Sequence, residues 1–201
     1  MIIGVTGISG SGKTTLAQML AARCGAEHLD VDAVGHRVLD ENKLVRLAAR
    51  FLFGSTERSV IADQVFNSAA KLFLWGLVIH PFMRRDIRRR LRNKTKSLVL
   101  DAALLYQLGL HKYCDRVIFV DAPETLLKAR LETRGLSAAQ SLRRLAVNQK
   151  VYLYKEYADR TIINNGSLAV LQKNSEKIGD YLFNNISPEP KKAKIIPQKP
   201  D

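Results

Sequence analysis

The 201-residue sequence predicts an α/β fold, a parallel sheet with helices on both faces. Two observations lead there. Short apolar runs, several ending in Asp, alternate with segments of helical periodicity. The first of these runs passes straight into a glycine-rich stretch and then into a helix. Hydrophobic residues make up 46% of the chain, enough to fill the core of the one domain its length suggests.

The elements follow in order. Residues 2–6 (IIGVT) form an apolar run that stops at Gly7, as a buried parallel strand does. Residues 14–23 carry helical spacing through Leu16, Met19 and Leu20. "GAEHLD" is a second short strand ending at Asp30. From Ala33 to about Leu91 the pattern is mostly helical, with breaks expected near "FGST" and before Pro81. "SLVLD" and "RVIFVD" are β-branched, apolar and end in Asp101 and Asp121, so both read as central strands. Pro123 opens the next helix, where its missing N–H is tolerated. "RTIINN" is a last strand, closed by Gly166, and residues 167–183 form a final helix. This gives five parallel strands in a single domain over residues 1–186. A helical acceptor-binding insertion is expected over about 33–94, and a helical lid over about 124–157. Residues 187–201 are rich in Pro and Lys and are expected to be a disordered basic tail.

Composition narrows the function. No apolar run approaches the ~20 residues needed to cross a bilayer, and no secretory signal opens the chain, so no membrane-spanning role is expected. Cys24 and Cys114 show no metal-ligand spacing. A reducing, cytoplasmic setting follows. The net charge of +13 implies polyanionic company: nucleic acid, a membrane surface or phosphorylated small molecules. The densest basic stretch, "RRDIRRRLRNK", distributes its charges around most of a helix, so it is either a solvated helix face or a polyanion contact.

"GISGSGKT", residues 7–14, completes the pattern G-x-x-x-x-G-K-[ST] with a strand before it and a helix after. Gly7, Gly10 and Gly12 let the main chain curl around an anion. The N–H groups of the loop, through Ser11, Lys13, Thr14 and Thr15, then point inward at the positive end of the helix. Lys13 would reach the outer phosphates of ATP, and the Thr14 hydroxyl would ligate Mg²⁺. The fold is therefore expected to be that of the P-loop NTPases.

The loop specifies a phosphoryl donor but not an acceptor. A GTPase would need Asn-Lys-x-Asp after a strand; "NKTK" at 93–96 lacks the Asp and precedes a strand. A nucleic-acid ATPase is kept open by the charge. A small-molecule kinase needs a carboxylate at the acceptor hydroxyl, cations for the migrating charge and a cover that excludes water. Asp30 and Asp32, after the second strand, supply the carboxylate, although Asp30 serves equally as a helix cap. Lys128, Arg130, Arg134, Arg143 and Arg144 supply the cations, with Arg130 and Arg134 on one helical face.

Beyond the loop, the chain resembles the dephospho-coenzyme A kinase family from residue 1 to roughly residue 170. "LDVDAVGH" is similar to the family's D-x-D-x-x-x-H element through Asp30, Asp32 and His36, and "GSTERSVIADQVF" matches through Arg58 and Phe66. "VIHP" matches a His-Pro pair at His80 and Pro81, and "LVLDAALLYQLGL" resembles the element after the third strand. "ARLETRGLSAAQSLRRLAVNQ" resembles the lid through Arg130, Arg134, Ser137 and Gln149. "KEYADRTIINNG" resembles the closing segment through Lys155, Ala158, Asp159, Asn164 and Gly166.

The resemblance implies transfer of the ATP γ-phosphoryl group to the ribose 3′-hydroxyl of dephospho-CoA, which yields coenzyme A. It implies Asp32 as base, Lys13, Arg130 and Arg134 as catalytic cations, and His36, Arg58 and His80 at the acceptor. His36 reads equally as a packing or capping residue, and His80 as a helix-start histidine. Gln149 and Asn164 read as structural as readily as functional. A monomer acting on two small molecules, ATP and dephospho-CoA, is expected, with no membrane partner and nucleic acid an unlikely one. A nucleoside or nucleoside-monophosphate kinase is the alternative within the class. Two departures from the family stand out. Gln107 replaces the usual Glu, and Lys150-Val151 replaces the usual Met-Pro, with the following run about one residue short.

Overall fold

A computed structural model describes residues 1–184; the expected tail at 187–201 lies outside the described residues. Five parallel strands form one sheet: β1 (Ile2–Gly7), β2 (Glu27–Asp30), β3 (Leu98–Asp101), β4 (Arg116–Asp121) and β5 (Arg160–Ile163), in the order β2-β3-β1-β4-β5. This matches the expected P-loop arrangement, with one consequence that chain order conceals. β3, not β2, lies beside β1. The register pairs Val5 with Asp101 and Asp101 with Asp30, so both carboxylates reach the C-terminal edge of the sheet.

Helix α1 (Lys13–Arg23) follows the loop, and four helices separate β2 from β3: α2 (Val31–Glu41), α3 (Lys43–Phe53), α4 (Arg58–Asn67) and α5 (Ala69–Arg92). Helices α6 (Glu124–Thr133) and α7 (Ala138–Tyr152) separate β4 from β5, and α8 (Leu168–Asn184) closes the chain. The expected break at "FGST" is real: Gly54 takes φ +71° at the end of α3. The expected break before Pro81 is not: α5 continues through the proline. Its apolar stripe of Trp75, Ile79, Met83, Ile87 and Leu91 stays buried along the full helix, and packing outweighs the lost hydrogen bond. Pro123 sits at the N-cap of α6, one position before the first helical residue.

The sheet divides the core. On one face Ile3, Val5, Val99 and Ile118 pack against Leu16 and Leu20 of α1 and Leu171 of α8. On the other, Leu98 and Leu100 pack against Val34 of α2, Ile79, Met83 and Ile87 of α5, and Leu105. Gly4 admits the segment after β3: a Cβ there would lie 2.8 Å from Leu105 Cδ2 and 2.9 Å from Cys114 Sγ. Parallel strands buried on both faces carry little polar sequence, which is why the runs were so clearly apolar.

Candidate active site

The glycine-rich loop runs from β1 into α1. Gly7, Gly10 and Gly12 take φ of +152°, +86° and +91°, angles that side-chain-bearing residues rarely adopt. Gly12 is the N-cap of α1 and no side chain satisfies the helix's first N–H groups, which leaves them for an anion. Three side chains brace the loop from behind. Arg130 of α6 donates to Gly10 O at 3.3 Å and to Asn164 O at 3.3 Å. Asn164, just past β5, donates to Ser11 O at 2.8 Å. Asn148 of α7 donates to Ser9 Oγ at 2.9 Å.

In front of the loop lies an acidic cluster. Asp101, at the end of β3, is only 2% exposed, and burial raises its carboxyl above the usual carboxylate range. The Thr14 hydroxyl and the Lys13 ammonium draw it back down, while the charges of Asp30 and Asp32 add to the rise. Asp101 Oδ1 and Ser11 Oγ are buried without a hydrogen-bond partner. His28 Nε2 stands 3.7 Å from Asp101 Oδ2.

Asp30 accepts a bond from Ala33 N at 3.0 Å and caps α2, the structural one of its two readings. Asp32, in the first turn of α2, is exposed, and its charge acts on Arg144. Arg144, in α7, is half-buried, with its guanidinium 4.8 Å from the centre of the Phe66 ring of α4. Burial lowers the Arg144 pKa from its ordinary value; Asp32 opposes that shift and Arg134 reinforces it.

The sequence-expected residues thus divide. Gly7, Gly10, Ser11, Gly12, Lys13, Thr14 and Thr15 converge with Asp32 and Arg130. Arg134 sits at the exposed end of α6, with its charge felt at Arg144. His36 lies one turn beyond Asp32 on α2 and is exposed. His80 is half-buried on α5, its ring against Gly76, where a Cβ would come within 3.1 Å. Arg58 pairs with Asp40 between α4 and α2, a contact within the insertion itself. Gln149 faces solvent, and its neighbour Asn148 is the α7 residue that meets the loop.

Two members of the site were not singled out from sequence. Asp101 was visible only as the last residue of a strand, and its importance depends on β3 neighbouring β1. Arg144 was one of five cations after the fourth strand, and only the packing of α7 against Phe66 distinguishes it.

The model of the dephospho-CoA kinase family matches residues 1–170. The chain belongs to the dephospho-CoA kinase family. Relatives named dephospho-CoA kinase include that of Methylococcus capsulatus, 33% identical over 86% of this chain and 91% of its own length. That of Corynebacterium diphtheriae is 32% identical over 86% of this chain and 92% of its own length. Among solved structures, a Thermus thermophilus protein is 30% identical with a TM-score of 0.71, covering 90% of this chain and 97% of that one. The shikimate kinase of Acinetobacter baumannii, at 17% identity and a TM-score of 0.59 over 92% of this chain and 94% of its own, shares the fold. The match to the dephospho-CoA kinase family therefore extends well past the loop, through the insertion, α6 and α7.

Proposed function

We propose that this protein transfers the γ-phosphoryl group of ATP to the ribose 3′-hydroxyl of dephospho-CoA, giving coenzyme A and ADP. The observation that carries this reading is an exposed carboxylate, Asp32, whose charge acts on Asp101 together with Lys13 and Thr14 of the loop, in a chain of the dephospho-CoA kinase family. The loop amides and Lys13 hold the β- and γ-phosphates. Asp32 accepts the proton of the acceptor hydroxyl as the oxygen attacks phosphorus. Arg144, whose charge interacts with that of Asp32, and Arg134, whose charge is felt at Arg144, offset charge moving to the bridging oxygen. Arg130 acts on the loop rather than on substrate, since its guanidinium is engaged with two main-chain carbonyls.

The residues also suit Mg²⁺. Among the described residues no group of three His, Cys, Asp or Glu forms a dedicated metal cage. Mg²⁺ at phosphates typically needs only one or two carboxylates and keeps its waters. The Thr14 hydroxyl and the buried, unpartnered Asp101 Oδ1 offer that donor set. When bound there, the ion would neutralise charge on the two outer phosphates.

In this reading helices α2–α5 bind the acceptor, with His36 on α2 and His80 on α5 contributing to its site, and α6–α7 form the lid. Arg58 supports the insertion through Asp40 rather than touching the acceptor. No helix among the described residues is long and apolar enough to cross a membrane. A cytoplasmic, monomeric enzyme is part of the same proposal, since both substrates are water-soluble nucleotides.

The test is a coupled ADP-release assay across dephospho-CoA, CMP, UMP and deoxynucleosides, with and without RNA. Turnover with dephospho-CoA is expected to exceed the others by orders of magnitude. Strong turnover of a monophosphate alone, or hydrolysis driven by RNA, would overturn the reading.

A further inference from the structure

Helix α3 presents an unusual outer face. Its inner residues Val45, Ala49 and Phe53 are buried in the insertion. On the opposite side Leu44 is 67% exposed, Leu47 66% and Phe51 89%. Their spacing of three and four residues aligns them in one stripe. Lys43, Arg46 and Arg50 run alongside at the same spacing, and with Leu47 they line a shallow depression of about 340 Å³. The helix is firmly built: Asn42 caps it by accepting from Leu44 N at 3.0 Å and Val45 N at 3.2 Å. An ordered helix therefore offers water three large apolar side chains flanked by three cations.

We propose that this face docks the protein on an anionic lipid bilayer, lying in the interface rather than crossing it. Adjacent apolar and cationic stripes on one helix are what interfacial binding uses: Leu and Phe enter the acyl boundary while Lys and Arg meet lipid phosphates. The net charge of +13 adds long-range attraction to such a surface. A second copy of this chain is a poorer occupant. The face of an 11-residue helix covers about 170 Å² in outline, well below the ~800 Å² per partner of a stable interface. Facing copies would also set like charges together. Nucleic acid would use the cations but leave Leu44, Leu47 and Phe51 in water.

The experiment is vesicle flotation of the full chain. Vesicles of phosphatidylcholine alone are compared with vesicles containing roughly 30% phosphatidylglycerol, at about 0.1 M and about 0.5 M NaCl. Binding is expected only to the anionic vesicles, with a severalfold loss at high salt. Leu47→Gln/Phe51→Gln should cut partitioning by at least about tenfold. Lys43→Gln/Arg50→Gln, which leaves every buried residue of α3 in place, should cut it about as much. Circular dichroism and thermal melts of both variants should match the parent, so lost flotation reports on the surface rather than on folding. Equal binding to neutral and anionic vesicles, no binding to either, or insensitivity to both variants would each overturn the proposal. So would RNA binding that Lys43→Gln/Arg50→Gln abolishes in the absence of flotation, or a concentration-dependent dimer that Leu47→Gln/Phe51→Gln dissolves.

Discussion

Asp32 and Asp101 act on one another electrostatically, and their surroundings give them different chemistry. Asp32 is exposed on α2, able to meet a substrate hydroxyl. Replacing it with Asn should leave ATP binding nearly intact and reduce kcat by about 10²-fold or more, the usual contribution of a general base. Lys13→Ala differs, weakening ATP binding and transfer together; titration calorimetry beside steady-state kinetics separates the two. Equal turnover in Asp32→Asn would remove it as the base. Asp101 is buried, and burial raises its pKa above that of an unfolded carboxyl. A raised folded value means the group contributes stability below the ordinary carboxylate range, and that contribution is lost as pH rises through the folded value. At neutral pH the ligand-free protein therefore carries a penalty for this charge. Asp101→Asn should raise the ligand-free Tm at pH 7 by a few degrees, with the gain vanishing in acid, and should increase the Mg²⁺ needed for half-maximal turnover. A lower Tm at pH 7 and unchanged Mg²⁺ dependence would show that the carboxylate is structural.

At the scale of elements, the loop keeps its shape because β5, α6 and α7 all reach back to it. Asn164 is the bond among these that ends on a buried carbonyl between two loop glycines. Asn164→Ala leaves Ser11 O without that partner, a cost of about 1–3 kcal/mol in a buried setting. The expected outcome is a KM for ATP roughly tenfold higher with the acceptor KM little changed; a selective rise in the acceptor KM would contradict this role. Sequence made the loop itself plain, because its chemistry is local: three glycines, a lysine and two threonines lie in one stretch. The bracing residues were less legible, because each comes from a different element. Arg130 was visible as a cation but not as a ligand of the loop, and Asn148 lost out to its neighbour Gln149. One residue of register on α7 decides which of the two faces Ser9. The α5 helix was misread at Pro81 for the same reason: a local breaker signal was overruled by a stripe of five buried side chains.

On the scale of the whole molecule, strand order and the meeting of α4 with α7 convert separate segments into one site. Neither is written in any single stretch of sequence. β3 enters beside β1 only once the crossover is made, and Arg144 acquires its position only against Phe66, some 78 residues earlier in the chain. The contacts between the insertion and the proposed lid include Phe66 with Arg144 and Asn67 with Arg143. The first bears on the proposed catalysis, because the charge of Asp32 also acts on Arg144. An aromatic face holds a guanidinium with about 0.5–2 kcal/mol. Phe66→Leu keeps most of the apolar volume and removes only that face. If the ring positions Arg144 for the transferred phosphoryl group, kcat/KM should fall roughly 2- to 30-fold, as that energy range implies. Tm should barely move, since Phe66 is only partly buried. Arg144→Lys should reproduce the loss, because an ammonium cannot stack as a planar guanidinium does. The double variant should be no worse than either single one, since both remove the same contact. Additive losses would mean that Phe66 and Arg144 act separately, and that the insertion and α7 meet for packing alone.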